Sequence, residues 1–216
     1  MTRNRHLPSL NTLATVALTA ALLTGGLSAC APLLLGGAVL GGGLMVSDRR
    51  TAGTQLEDEA IELKAASKVR ELATLGHINA ISYNRTLLLV GEVPTEADKA
   101  AVGAAVGRIE NVRSVVNELG AMPNSTLGSR SNDALLSGKV KATFVDAKDL
   151  QSHAFKVVTD RGIVYLMGRV TEREATRGAD LARSIPGVQK VVRVFEVLSE
   201  AELGALGQQG PASSSK

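Results

Sequence analysis

The chain has 216 residues, 44% hydrophobic and 21% charged, with a net charge of +3, one Cys, no Trp, three Phe and two Tyr. That length holds one medium domain or two small ones. A lone Cys excludes an internal disulfide and a multi-Cys zinc or iron–sulfur site; the ordinary charged fraction excludes a wholly disordered chain, and so few rings exclude a stacking platform for single-stranded nucleic acid.

Residues 1–29 read as an export signal. Arg3, Arg5 and His6 form a positive start, and residues 13–23 are an apolar stretch too short to span a bilayer. Leu27-Ser28-Ala29-Cys30 stands at the cleavage position. This resembles the bacterial lipobox, which implies cleavage before Cys30 and acylation of its thiol. One acyl chain anchors only marginally, whereas two or more hold firmly. Ala31 follows where Asp commonly retains lipoproteins of Gram-negative bacteria in the inner membrane, so the resemblance implies an outer-membrane address on the periplasmic side. Loss of Arg3 and Arg5 lowers the net charge by two, so the basic balance does not argue for nucleic acid as a partner.

Residues 30–54 form a linker. Its 31–46 stretch is apolar with five Gly, which weaken a helix, and reads as a segment on or near the membrane. Residues 55–120 and 131–198 then look like two copies of one unit. Leu87-Leu88-Leu89-Val90-Gly91-Glu92-Val93 matches Val164-Tyr165-Leu166-Met167-Gly168-Arg169-Val170, and residues 109–116 match 185–192. Residues 121–130, with Pro, Asn, Ser and Gly, are the linker between the copies.

Each copy reads helix, strand, strand, helix, strand. In the second, residues 131–146 are helical by period, and strands at 153–159 and 163–169 flank a turn at Asp160-Arg161-Gly162. Thr171 with Glu174 starts the next helix as a capping box. Pro186-Gly187 ends it, and residues 188–197 form the last strand. The first copy turns at Tyr83-Asn84-Arg85, with Pro94 in the first turn of its second helix. The expected class is α+β, each copy a three-stranded sheet packed by two helices. Residues 199–216 are polar and rich in Gly, Ser and Gln, and are expected to be a disordered tail.

The strand–Gly–x–Val turn, the amphipathic helix and the closing valine-rich strand resemble the BON domain. Two such domains behind a lipobox resemble the DolP family of outer-membrane lipoproteins. The likeness covers roughly residues 47–198, and is strongest over 131–144, 164–175 and 187–198.

No catalytic constellation is present, and the chain is read as non-enzymatic and free of cofactors. His77 and His153 stand singly and lack partners at metal spacing, so each is read as a solvated strand-end side chain. Glu57, Asp58, Glu59 and Glu62 read as a charge bias favouring the first helix's dipole. Gly91 and Gly168 recur at equivalent places and read as positions of close packing.

Charge and pattern are more informative. Residues 54–120 carry seven Lys and Arg against ten Asp and Glu; residues 131–198 carry eleven against eight. The second copy therefore suits an anionic partner such as phosphatidylglycerol headgroups. On its first helix, Leu136, Val140, Thr143 and Phe144 share one face, assigned to the core. Leu135, Gly138, Ala142 and Val145 form a second apolar stripe opposite, flanked by Lys139 and Lys141. Such a stripe suits either a bilayer interface or packing against the other copy. The DolP resemblance implies binding of anionic phospholipid by this helix, and a role in envelope integrity linked to division sites. Leu135 stands where that family often has Trp, a ring favoured at interfaces. The alternative is a tethered adaptor or chaperone-like module that docks an envelope protein, as in OsmY-like relatives.

Overall fold

The computed structural model describes residues 48–72 and 76–208. Cys30, the signal sequence and the apolar linker lie outside the described residues. Among the described residues no helix is long and apolar enough to cross a membrane.

Domain 1 comprises α1 (Ala52–Glu71), β1 (His77–Tyr83), β2 (Thr86–Val93), α2 (Glu96–Val106), β3 (Ser114–Asn117) and β4 (Gly120–Ala121). Domain 2 comprises α3 (Leu127–Asp146), a short 3-10 turn (Ser152–Ala154), β5 (Phe155–Asp160), β6 (Ile163–Thr171), α4 (Glu172–Arg183) and β7 (Lys190–Leu198), followed by α5 (Glu200–Gln208). Both domains follow the expected α+β plan. β1 pairs antiparallel with β2, and β5 with β6, through two-residue turns. Asn84 and Arg85 (φ 49° and 65°), like Arg161 and Gly162 (φ 51° and 72°), take the left-handed conformation such turns require. The crossover helix then brings the last strand back parallel to the middle one.

Several local expectations are corrected. In domain 1 the closing strand is broken: β3 and β4 both pair with β2, and between them Leu119 turns into the core. Pro94 does not lie in the first turn of α2; Thr95 caps that helix, accepting from the Asp98 amide, so Pro94 precedes the cap. α3 starts before residue 131, because Thr126 caps it as Thr51 caps α1. Thr143 is half-buried, its hydroxyl bonding back to the Lys139 carbonyl. The tail expected to be disordered over 199–216 is helical over Glu200–Gln208. Ser199 and Glu202 cap one another there, Ser199 N–H to carboxylate at 2.8 Å and Glu202 N–H to hydroxyl at 3.2 Å.

Among the described residues, three apolar clusters hold the fold. One packs α1 and α2 on their sheet around Ile61, Leu87, Leu89, Val102 and Val106. A second packs α3 and α4 on theirs around Leu136, Val140, Phe144, Val164 and Leu166. The third contains Tyr83, Leu88 and Val90 from domain 1 with Tyr165 and Met167 from domain 2. Alternate residues of a strand point to opposite faces. The helix-free faces of the two sheets therefore pack on one another, giving helices, sheet, sheet and helices in turn. This explains why β2 and β6 read as continuous apolar runs rather than alternating ones: each is buried on both sides. Gly91 (φ 116°) and Gly168 are both required by close packing, since a Cβ there would run into the carbonyl of His77 or of Ala154.

Candidate functional site

One buried Asp in each copy fixes the first helix to the hairpin. Asp58 accepts from the Asn84 and Arg85 amides, both at 2.8 Å, and from the Ser82 hydroxyl at 2.6 Å. Asp133 accepts from the Arg161 and Gly162 amides at 2.9 and 2.8 Å. Asp58 is thus not part of a dipole-favouring surface cluster. Burial pushes its carboxyl up, but the Ser82 hydroxyl, the hairpin amides and Arg50 outweigh that and hold it below the usual range.

With α3 pinned by Asp133 and by Leu136, Val140 and Phe144, its opposite face is outermost. Leu135, Gly138, Lys139, Lys141, Ala142 and Val145 are all exposed. Leu135 and Val145 are 65% and 68% exposed, so domain 1 does not cover them; the domains meet through their sheets instead. Leu127, 78% exposed, extends the same stripe by turns of about 100° per residue. Sequence reading missed it by placing residue 127 in a linker; the missed signal was Thr126, a helix-capping residue. A Cβ on Gly138 would meet nothing within 4 Å, so packing does not demand glycine there. Lys139 and Lys141 flank the stripe, and neither has an ion-pair partner among the described residues.

The corresponding face of α1 differs. Leu56 and Leu63 are exposed, but Ala60, Ser67 and Arg70 interrupt the stripe, and Glu57, Glu59 and Glu62 surround it. Glu62 accepts from the Ser82 amide and from Lys156 of domain 2, at 2.8 and 2.9 Å.

His77 and His153 lie in different domains. His77 begins β1, and its Nδ1 is buried without a hydrogen-bond partner, so that nitrogen is not solvated as expected. His153 lies in the 3-10 turn beyond α3. No group of three or more His, Cys, Asp and Glu among the described residues could hold a metal.

This repeated unit is that of a BON-domain protein: the model of that domain matches residues 57–120 and 132–199, and the chain belongs to the family. Within it, the chain belongs to the DolP family. It is 38% identical over 169 residues to outer membrane lipoprotein DolP of Haemophilus influenzae, covering 74% of this chain and 87% of that protein. It is also 33% identical over 152 residues to a 21 kDa hemolysin of Actinobacillus pleuropneumoniae, covering 68% of this chain and 78% of the other.

Proposed function

We propose that the chain is an outer-membrane lipoprotein, anchored through acylated Cys30 on the periplasmic side, whose second domain binds anionic phospholipid and supports envelope integrity. This is a binding role rather than a catalytic one. The observation that carries it is the second apolar face of α3, solvent-exposed and edged by Lys139 and Lys141. A surface helix of a folded domain needs one apolar face; a helix lying in a headgroup layer needs an apolar face bordered by lysines. The name of the Haemophilus influenzae relative supports the same membrane.

The magnitudes suit a tethered module. Burying a Leu or Val side chain fully is worth about 1.5–3 kcal/mol, and a lysine near an anionic surface about 1 kcal/mol. Partial burial of Leu127, Leu135 and Val145 with two lysines then gives about 5–6 kcal/mol, close to the marginal affinity of a single acyl chain. Such affinity is weak for a free domain but effective when an anchor raises the local concentration.

The test uses residues 48–208, a compact unit, without the anchor. Binding to vesicles containing phosphatidylglycerol, little binding to zwitterionic vesicles, at least about a tenfold loss in Leu135→Glu and a smaller loss in Lys139→Glu are expected. Undiminished binding by Leu135→Glu overturns the site. Absence of vesicle binding, with a defined envelope protein captured through the same stripe, replaces lipid recognition by the adaptor role.

A further inference from the structure

Two consecutive arginines ahead of α1 grip different domains. Arg49 is turned to domain 2. Its guanidinium donates to both carboxylate oxygens of Glu174, at 2.7 and 2.8 Å, and to the Arg169 carbonyl at 2.9 Å. Arg169 donates in return to the Arg49 carbonyl at 3.0 Å. Arg50 is turned to domain 1: it donates to Asp58 at 2.6 Å and lies 4.2 Å over the Tyr83 ring, while Asp48 holds its other nitrogens.

These are not the contacts of a loose surface strand. The Arg49 and Glu174 side chains are only 8% and 3% exposed, and the pair is forked, the strongest geometry for a guanidinium and a carboxylate. Glu174 is also the capping-box carboxylate of α4, accepting from the Thr171 amide at 3.0 Å. Arg49 thus fastens onto a side chain that the fold already holds rigid. Burial alone would raise the Glu174 carboxyl; Arg49 and the Thr171 amide outweigh it and keep the group ionised.

The place of attachment matters. Glu174 and Arg173 line a surface recess with Lys148, Ser152 and His153, the segment that leaves the C-terminal end of α3. Through Glu174, Arg49 is therefore attached beside the segment that follows the helix carrying Val145, while Asp48 is held by Arg50. Without Arg49, the first firm attachment would fall at Arg50 and the Thr51 cap, both on domain 1.

We infer that Arg49 and Arg50 form a clip that fixes where the N-terminal tether joins the two-domain unit, so that α3 is presented to the membrane in which the tether ends. The inference rests on the lipid reading of α3 and adds to it a positioning role for Arg49. The tether then does more than concentrate the protein at a surface. It selects which face meets that surface before any headgroup is bound.

The test removes headgroup attraction and leaves only the tether. The chain from residue 30 onward is coupled through the Cys30 thiol to a maleimide lipid in zwitterionic phosphatidylcholine vesicles. Lysine acetylation is then followed by mass spectrometry. Lys139, Lys141 and Lys148 are expected to be protected several-fold relative to uncoupled protein, with Lys64, Lys68 and Lys99 unchanged. Arg49→Gln is expected to reduce the difference measurably. Arg49→Lys, which keeps the charge but loses the fork, gives an intermediate value and shows that folding is not at issue. Equal protection on both domains in the parent chain, or undiminished protection of α3 in Arg49→Gln, overturns the clip. Failure of the lipid reading shows separately, as absent binding of the unanchored unit to anionic vesicles.

Discussion

Replacing Asp133 by Asn changes one atom of a buried carboxylate and tests what holds α3 in place. The carboxylate accepts two backbone amides of the β5–β6 turn, at 2.8 and 2.9 Å, one on each oxygen. Asn keeps one acceptor and points an N–H₂ group at the other amide, so one hydrogen bond is lost and a buried donor is stranded. A hydrogen bond to a charged group contributes about 1.5–3 kcal/mol, and a stranded buried donor costs about 1–3 kcal/mol. Partial relaxation of the turn brings the expected loss to about 3 kcal/mol, equivalent to a lowering of Tm by about 6–12 °C in a unit of this size. Urea unfolding of residues 48–208 measures it, with exposed Asp146→Asn on the same helix as the control. A loss below about 1 kcal/mol, within the range of ordinary surface substitutions, would show that the amides find other partners and that the repeated Asp is not what docks the helix on the hairpin.

Two further outcomes are expected. Acid should unfold the unit: at Asp58, Glu174 and Glu196 burial raises the carboxyl but the hydroxyl, amide and arginine partners outweigh it, so folded values lie below unfolded ones. Their contribution is full above about pH 4 and disappears as pH falls through the folded values, whereas Asp160, raised mainly by burial, opposes stability above its raised value and eases as pH falls towards about 4. Thermal scans from about pH 7 to about pH 2.5 should show a midpoint that drops below about pH 4, and a constant midpoint contradicts the balance. Leu88→Ala, at a fully buried position between the sheets, should cost about 2–5 kcal/mol. Amide protection should fall in both domains together; a loss confined to domain 1 contradicts a shared core.

Much of the fold was legible because local rules operate there without competition. The capping box of Thr171 and Glu174, the two hairpin turns and the internal repeat each rest on a few adjacent residues. The candidate stripe on α3 was legible from period alone, since a helix with two apolar faces violates the usual pattern. What escaped lay in two kinds of place. Caps hidden among loop-like residues were passed over: Thr126 stood among Ser and Gly, and Ser199 with Glu202 opened a stretch whose composition reads as a tail. Long-range partners were not visible either. Asp58 lies three residues before Ile61 and seven before Ala65, on the core face of its helix, but only the arrival of a turn from β1 and β2 supplies the amides that make a buried carboxylate stable there. The domain contact did leave a trace, in Leu87 to Val90 and Val164 to Met167. A strand exposed on one face would have alternated, and these do not.

The back-to-back sheets have a mechanical consequence. Because the inner faces are used up on each other, every helix among the described residues but the last lies on one of two opposite outer skins. Whatever surface α3 rests on, α1 and α2 look the other way, and the acidic half of the molecule is held clear of it by the thickness of a double sheet. A single polypeptide thereby presents two opposed outer faces, and a partner seated on one cannot reach the other.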